Sequence, residues 1–142
     1  MAEARRRRYS LRMLRALNPK AIRRPFARYS HGIAVPAGAK LVFCSGQLGI
    51  GLDEHVPVDP GEQAELCFRA IGAILAEAGM GFADLVKLNA YVTDREAMAA
   101  YMPVRDRFVA DPPPASTLVM VSGFSRPEFR VEVEAVAARV DQ

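Results

Sequence analysis

The segment Phe129–Arg139 constrains the fold more than any other part of the chain. Val131, Val133, Ala135 and Ala137 fall on one side of an extended strand, and Arg130, Glu132 and Glu134 begin the other. A period of two marks a half-buried strand. Leu85–Val92 repeats it, with Val86, Leu88, Ala90 and Val92 on one side and Lys87 and Asn89 on the other. Such strands need a second layer over their apolar side. Two helices can supply it. The first opens at Asp59-Pro60, an N-cap followed by a residue suited to the first helical position, with Glu62 completing a box. Ala64, Cys67, Phe68, Ile71, Ile74, Leu75 and Ala78 then recur at helical spacing, and Gly79 ends the run. The second opens at a Thr93-x-x-Glu96 box and runs to about Val109. It turns Ala97, Tyr101, Val104 and Phe108 inward, carries Pro103 as an expected kink, and stops at Asp111-Pro112-Pro113-Pro114.

Shorter runs complete the pattern. Ile33–Pro36 and Leu41–Cys44 flank an Ala37-Gly38 turn and read as a hairpin. Gly49 to Pro60 reads as a loop, Thr117–Val121 as a strand and Ser122–Pro127 as a loop. The order ββ-α-β-α-ββ predicts an α+β two-layer sandwich, a mixed sheet covered on one face by two helices. Many strand residues are apolar on both sides, so the second face is expected to be covered by another subunit. Gly72 falls mid-helix, where it costs up to ~1 kcal/mol relative to Ala, and close backbone packing would account for it.

A chain of 142 residues, 51% of them apolar, suits one domain. Its net charge of +3 hides an asymmetry: residues 1–28 carry ten Lys/Arg against Glu3 alone, and residues 29–142 carry nine against fifteen Asp/Glu. The acidic part argues against a nucleic-acid-binding face on the domain itself. The basic head, Arg5–Arg8 followed by Ser10, Leu11, Leu14 and Leu17, can be read as an amphipathic targeting segment, a nucleic-acid tail or a disordered extension. We take residues 1–25 as a disordered basic extension and 26–142 as the domain. No apolar run reaches the ~18 residues of a membrane helix, and the N-terminus lacks the apolar stretch of a cleavable signal. Cys44 and Cys67 sit in apolar segments outside any CxxC, which fits buried, reduced thiols and a cytoplasmic protein.

Cofactor chemistry finds little support. His31 and His55 are far apart and without clustered ligands, so no metal site is expected, and neither a phosphate loop nor a GxSxG elbow is present. Glu132 and Glu134 share one strand face in an apolar-rich setting. Two such carboxylates can shift a pKa usefully for proton transfer, or can form an ordinary solvated face.

Four segments together carry a family resemblance: YSHG at Tyr29–Gly32, CSGQ at Cys44–Gln47, PPAST at Pro113–Thr117 and VEVEAVA at Val131–Ala137. In order and spacing they resemble the Rid (reactive intermediate deaminase, YjgF-like) family. The resemblance implies a chorismate-mutase-like fold, a homotrimer with a small-molecule cleft between subunits, no cofactor, and hydrolysis of 2-imino acids to 2-keto acids and ammonia. Carried over by position, Glu132 handles water, Tyr29 lines the cleft, Ser45-Gly46 is the strand end beside it, and Tyr101 takes a helix position that is often Asn. The place of the family's carboxylate-binding arginine is Ser116, which offers one hydroxyl and no charge. Arg105 and Arg130 are the nearest possible substitutes, and periodicity puts both toward solvent.

Three functions follow as expectations. One is an imine or enamine hydrolase that depends less on a carboxylate anchor. Another is a non-catalytic trimer that binds a metabolite or a partner. The third is the endoribonuclease or translation-inhibitor role attached to some relatives, against which the acidic domain and the lack of a histidine pair weigh.

Overall fold

The computed structural model describes residues 1–5 and 13–141. Its strands are β1 (Arg15–Leu17), β2 (Gly32–Ala34), β3 (Lys40–Leu48), β4 (Leu85–Val92), β5 (Ala115–Met120) and β6 (Val131–Arg139). Its helices are α1 (Pro60–Glu77) and α2 (Arg95–Phe108), with a 3-10 turn at Phe82–Asp84. The main sheet has the order β3-β6-β4-β5. β6 is antiparallel to both neighbours and β4 runs parallel to β5, so the sheet is mixed, as expected.

Both helices lie over the apolar side. Val131, Val133, Ala135 and Ala137 of β6 and Leu88, Ala90 and Val92 of β4 meet Phe68, Ile71 and Leu75 of α1 and Tyr101 and Val104 of α2 in one buried cluster. Phe68 stacks on Phe108 at 5.1 Å between ring centroids. The Asp59 carboxylate accepts the Glu62 N–H at 3.1 Å, and Gly79 closes α1 with a left-handed φ of 69°. Gly72 faces the Phe82 ring, where an added Cβ would come within 2.9 Å of a ring carbon. Close packing therefore does explain that glycine.

Three local expectations are corrected. β2 does not pair with β3: it pairs with β1 through Arg15↔Ala34 and Leu17↔Gly32, while β3 pairs with β6. Chain order therefore begins well before residue 26, and the Asn18 side chain continues it by accepting the His31 N–H at 2.9 Å. Residues 6–12, with Arg6, Arg7, Arg8 and Arg12, lie outside the described residues. The cap of α2 is Asp94 rather than Thr93. Its carboxylate accepts the Ala97 N–H at 2.8 Å, and that bond, followed by the Arg130 guanidinium, holds its pKa below the ordinary value. Among the described residues no helix is long and apolar enough to cross a membrane.

Candidate functional site

The residues singled out by sequence fall into two groups on opposite faces of the sheet. Glu132 lies on the face away from the helices, since its neighbours along β6, Val131 and Val133, point into the core. It is paired with Tyr91 of β4 and Leu48 of β3. The β3–β6 register shifts between Cys44 and Gln47, so Ser45 and Gly46 form an irregularity beside it. Bulges of this kind commonly re-aim chains next to functional sites. Gly46 has a specific reason to be glycine: an added Cβ would lie 2.7 Å from the Glu132 carboxyl carbon. The missing side chain lets the carboxylate rest against the strand.

Glu134, two residues along, is held differently. One of its oxygens accepts from Asn89 Nδ2 at 3.0 Å and from the Tyr91 hydroxyl at 2.7 Å. The bond to Glu134 is the main cause that raises the Tyr91 pKa, with burial second. Lys87 donates to Thr117 Oγ1 at 2.7 Å on the same face. This face also exposes Leu41, Phe43 and Val119. Phe43, at 73% exposed, is unusual for a strand residue two positions from a polar site.

The second group lies on the helix side. Ser116 is in register with the core residue Leu88, so it shares that face. Ser30 joins the edge of β5 through a parallel bridge to Ala115, and its buried hydroxyl donates to Pro113 O at 2.6 Å. That attachment sets Tyr29 beside Ser116. Both line a cavity of about 280 Å³ with Phe26, Met98, Met102, Arg105 and Leu118.

Two placements differ from the sequence expectation. Tyr101 does not reach the cavity. It is 0% exposed and stacked on Phe68 at 6.0 Å, and among the described residues its hydroxyl has no hydrogen-bond partner. Burial raises its pKa. Met102, one residue on, takes the cavity position. Arg105 is not at the solvent: it is 3% exposed and forms part of the cavity wall. Arg130 is committed elsewhere, paired with Asp94 at 3.0 Å and Glu96 at 3.7 Å. Sequence reasoning missed Met98 and Met102, and it named Arg105 as a possible substitute for the family arginine but turned it toward solvent. Their i, i+4, i+7 spacing, one residue out of step with the core stripe, was the available signal.

Among the described residues no three potential ligands gather as a metal site. Cys44 and Cys67 are free and buried. Burial, with a smaller contribution from the Glu132 charge, pushes the Cys67 thiol up to about 12, so it is not a nucleophile at neutral pH.

The comparisons with known proteins bear on the family and the fold. The family model described as Endoribonuclease L-PSP matches residues 20–139. The crystal structure of YyfB from Yersinia pestis, a protein of the Rid family, superposes with a TM-score of 0.76 over 87% of this chain and 97% of its own, at 22% identity. The chain belongs to the Rid family. A relative, the mitochondrial protein mmf2 of Schizosaccharomyces pombe, is 35% identical over 74% of this chain and 84% of its own. TdcF of E. coli, provisionally named a reactive intermediate deaminase, is known with bound serine. That structure matches at TM-score 0.66 and 25% identity over 89% of this chain and 99% of its own. The Rid fold thus accounts for the mixed sheet and its two covering helices.

Proposed function

We propose that this Rid protein hydrolyses a small reactive imine or enamine in clefts shared between the subunits of a homotrimer. The observation that carries the reading is the division of the site. Glu132, Ser45 and Gly46 lie on the open face near β3, whereas Tyr29 and Ser116 lie on the helix side at β5. β6 and β4 intervene, so one protomer cannot bring both groups to one small ligand. A second chain can. The exposed Leu41, Phe43 and Val119 give that face an apolar surface to bury on assembly.

In this reading Glu132 takes a proton from water as it attacks the imine carbon. The C=N bond gives way to C=O, and the nitrogen leaves as ammonia after collecting the protons. Gly46 makes room for the carboxylate, Ser45 borders it, and Tyr29 and Ser116 orient the ligand. No cofactor is required, and a cytoplasmic setting fits the two free thiols. The relative TdcF, by its name, points to the same reaction class.

The test is hydrolysis of 2-aminoacrylate and 2-iminobutanoate generated in situ. Glu132→Gln should lower turnover by ~100-fold or more, the usual worth of general acid–base catalysis, with the fold intact. Unchanged turnover would remove Glu132 from the chemistry. Light scattering should give a trimer mass, and a monomer would defeat the shared cleft.

Ser116 favours a second reading. Without an arginine at that place the cleft has lost one charge-assisted contact, and a trimer that binds a metabolite or partner without turning it over would show ligand binding and no hydrolysis. The endoribonuclease role is disfavoured by the acidic domain and by the separation of its two histidines, His31 and His55.

A further inference from the structure

We propose that Gln63 is a positioning residue for Glu132, a buried amide that ties together the two strand ends flanking the carboxylate and so fixes where it meets its ligand. The inference rests on the reading above in taking Glu132 as the group that acts on water.

An amide is costly to bury unless its hydrogen bonds are made. Gln63 lies near the start of α1, is 0% exposed, and spends its bonds on backbone outside the helix. Its Nε2 donates to Pro57 O at 2.8 Å and to Glu128 O at 2.9 Å. Its Oε1 accepts the Arg130 N–H at 2.9 Å. Arg130 immediately precedes β6, and Glu132 is the second residue of that strand. On the other side, Leu48 ends β3 and is paired with Glu132. Gly49 follows Leu48 and packs directly on Gln63, where an added Cβ would lie 2.6 Å from the Gln63 Cα. The end of β3 and the start of β6 therefore rest on one side chain.

A residue that only filled the core at this place could be apolar, as Ala64, Cys67 and Phe68 of the same helix are. An amide with three bonds adds direction, because each bond is sensitive to angle as well as distance. The two carboxylates of β6 differ in their need for it. Glu134 is held by Asn89 and Tyr91, whereas among the described residues the Glu132 side chain makes no hydrogen bond. Its place is set by the backbone beneath it and by Gly46, which leaves room for the carboxylate. A displacement of ~1 Å at a reacting group can cost about 100-fold in rate. The joint at Gln63 is where such a displacement would begin.

The test uses the full chain and two readouts, the kinetics of 2-iminobutanoate hydrolysis and the carboxyl resonances of protein labelled with carbon-13 glutamate. Gln63→Leu removes all three bonds at similar volume. It should lower kcat by ~10- to 100-fold and leave KM nearly unchanged. In a Glu132→Gln background the same substitution should cost less than ~3-fold, because residues that act through one group are not additive. An equal loss in both backgrounds would mark Gln63 as merely structural and overturn the proposal. The Glu132 resonance should move in Gln63→Leu while that of Glu134 stays, and an unmoved Glu132 resonance would also overturn it. Should Gln63→Leu fail to fold, Gln63→Glu replaces it. Its neutral acid keeps one donor and one acceptor, but its ionised form faces the Pro57 and Glu128 carbonyls with no donor. The ratio of its kcat to that of the wild type should therefore be highest at low pH and fall as the new carboxyl ionises. A ratio that is flat with pH counts against the proposal. The two readings fail separately. A Glu132 resonance that depends on Gln63 in a protein without imine turnover sinks the catalytic reading alone. Glu132-dependent turnover that is indifferent to Gln63→Leu sinks the positioning role alone.

Discussion

The two faces of the main sheet are built to different standards of completeness. On the helix side, Val131, Val133, Ala135 and Ala137 of β6 lie in one buried cluster with residues of α1 and α2. On the open side, the Glu134 carboxylate accepts from a tyrosine and an asparagine while Phe43 and Leu41 stand in solvent. One face stabilises the protomer; the other leaves large apolar side chains exposed beside its polar ones. Strand parity therefore separates buried from exposed residues of β6, and a shift of one residue along the strand would exchange them.

Substitutions can break or sharpen that division, ranked here by their expected cost to the protomer. Phe68→Ala empties the centre of the closed face and should cost about 3–5 kcal/mol in urea unfolding at fixed protein concentration. A cost below about 1 kcal/mol would mean the helix layer is not the core. Gly72→Ala should cost about 1–3 kcal/mol, because the new methyl meets the Phe82 ring, and pairing it with Phe82→Leu should recover part of the loss. Tyr91→Phe removes one hydrogen bond from the half-buried open face and should cost less than about 1 kcal/mol. Its pH dependence has a definite sign. The folded pKa of Tyr91 is raised, so this contribution is complete below the ordinary phenol pKa and is lost as pH rises through the raised one. The Tm gap between wild type and Tyr91→Phe should close in strong alkali. Phe43→Asp should change protomer stability least, within about 0.5 kcal/mol, while lowering the mass seen by light scattering. An unchanged mass would show that the open face is not the assembly surface.

The core was legible because periodicity reports burial directly. β6 and α1 follow their predicted faces, and β4 does so from Leu88 to Val92, whereas a register shift between Leu85 and Lys87 gives Leu85 the core position expected of Val86; Asp59 and Gly79 mark the ends of α1 by local chemistry that owes nothing to tertiary context. The errors have equally physical causes. β2 is three residues long, and its partner β1 sits in a segment whose arginines resemble a solvated tail, so no local signal distinguishes β1 from β3 as its neighbour. Thr93 and Asp94 both cap helices well, and only the Ala97 N–H distinguishes them. Arg105 was misplaced because a helical stripe is found by counting apolar residues, and a charged residue on a buried stripe is invisible to that count. Tyr101 and Met102 differ by one position, about 100° around a helix. That rotation separates the core from the cavity wall. Whether Glu132, Tyr29, Ser45, Gly46 and Ser116 act on a ligand is a matter for the experiments above; their division between two faces could not have been read without knowing the strand order.

The position of β6 has a consequence for how the molecule is made. It lies between β3 and β4, yet it is the last strand in the sequence, and its pairing of Lys40 with Arg139 joins residues at nearly opposite ends of the domain. During synthesis the apolar faces of α1 and β4 must wait for the central strand to leave the ribosome. Such non-local closure slows folding and leaves sticky surface uncovered in the interval. Loss of β6 would remove the middle of the sheet rather than its margin, so a nascent chain stalled before residue 131 lacks the strand that joins β3 to the β4–β5 pair.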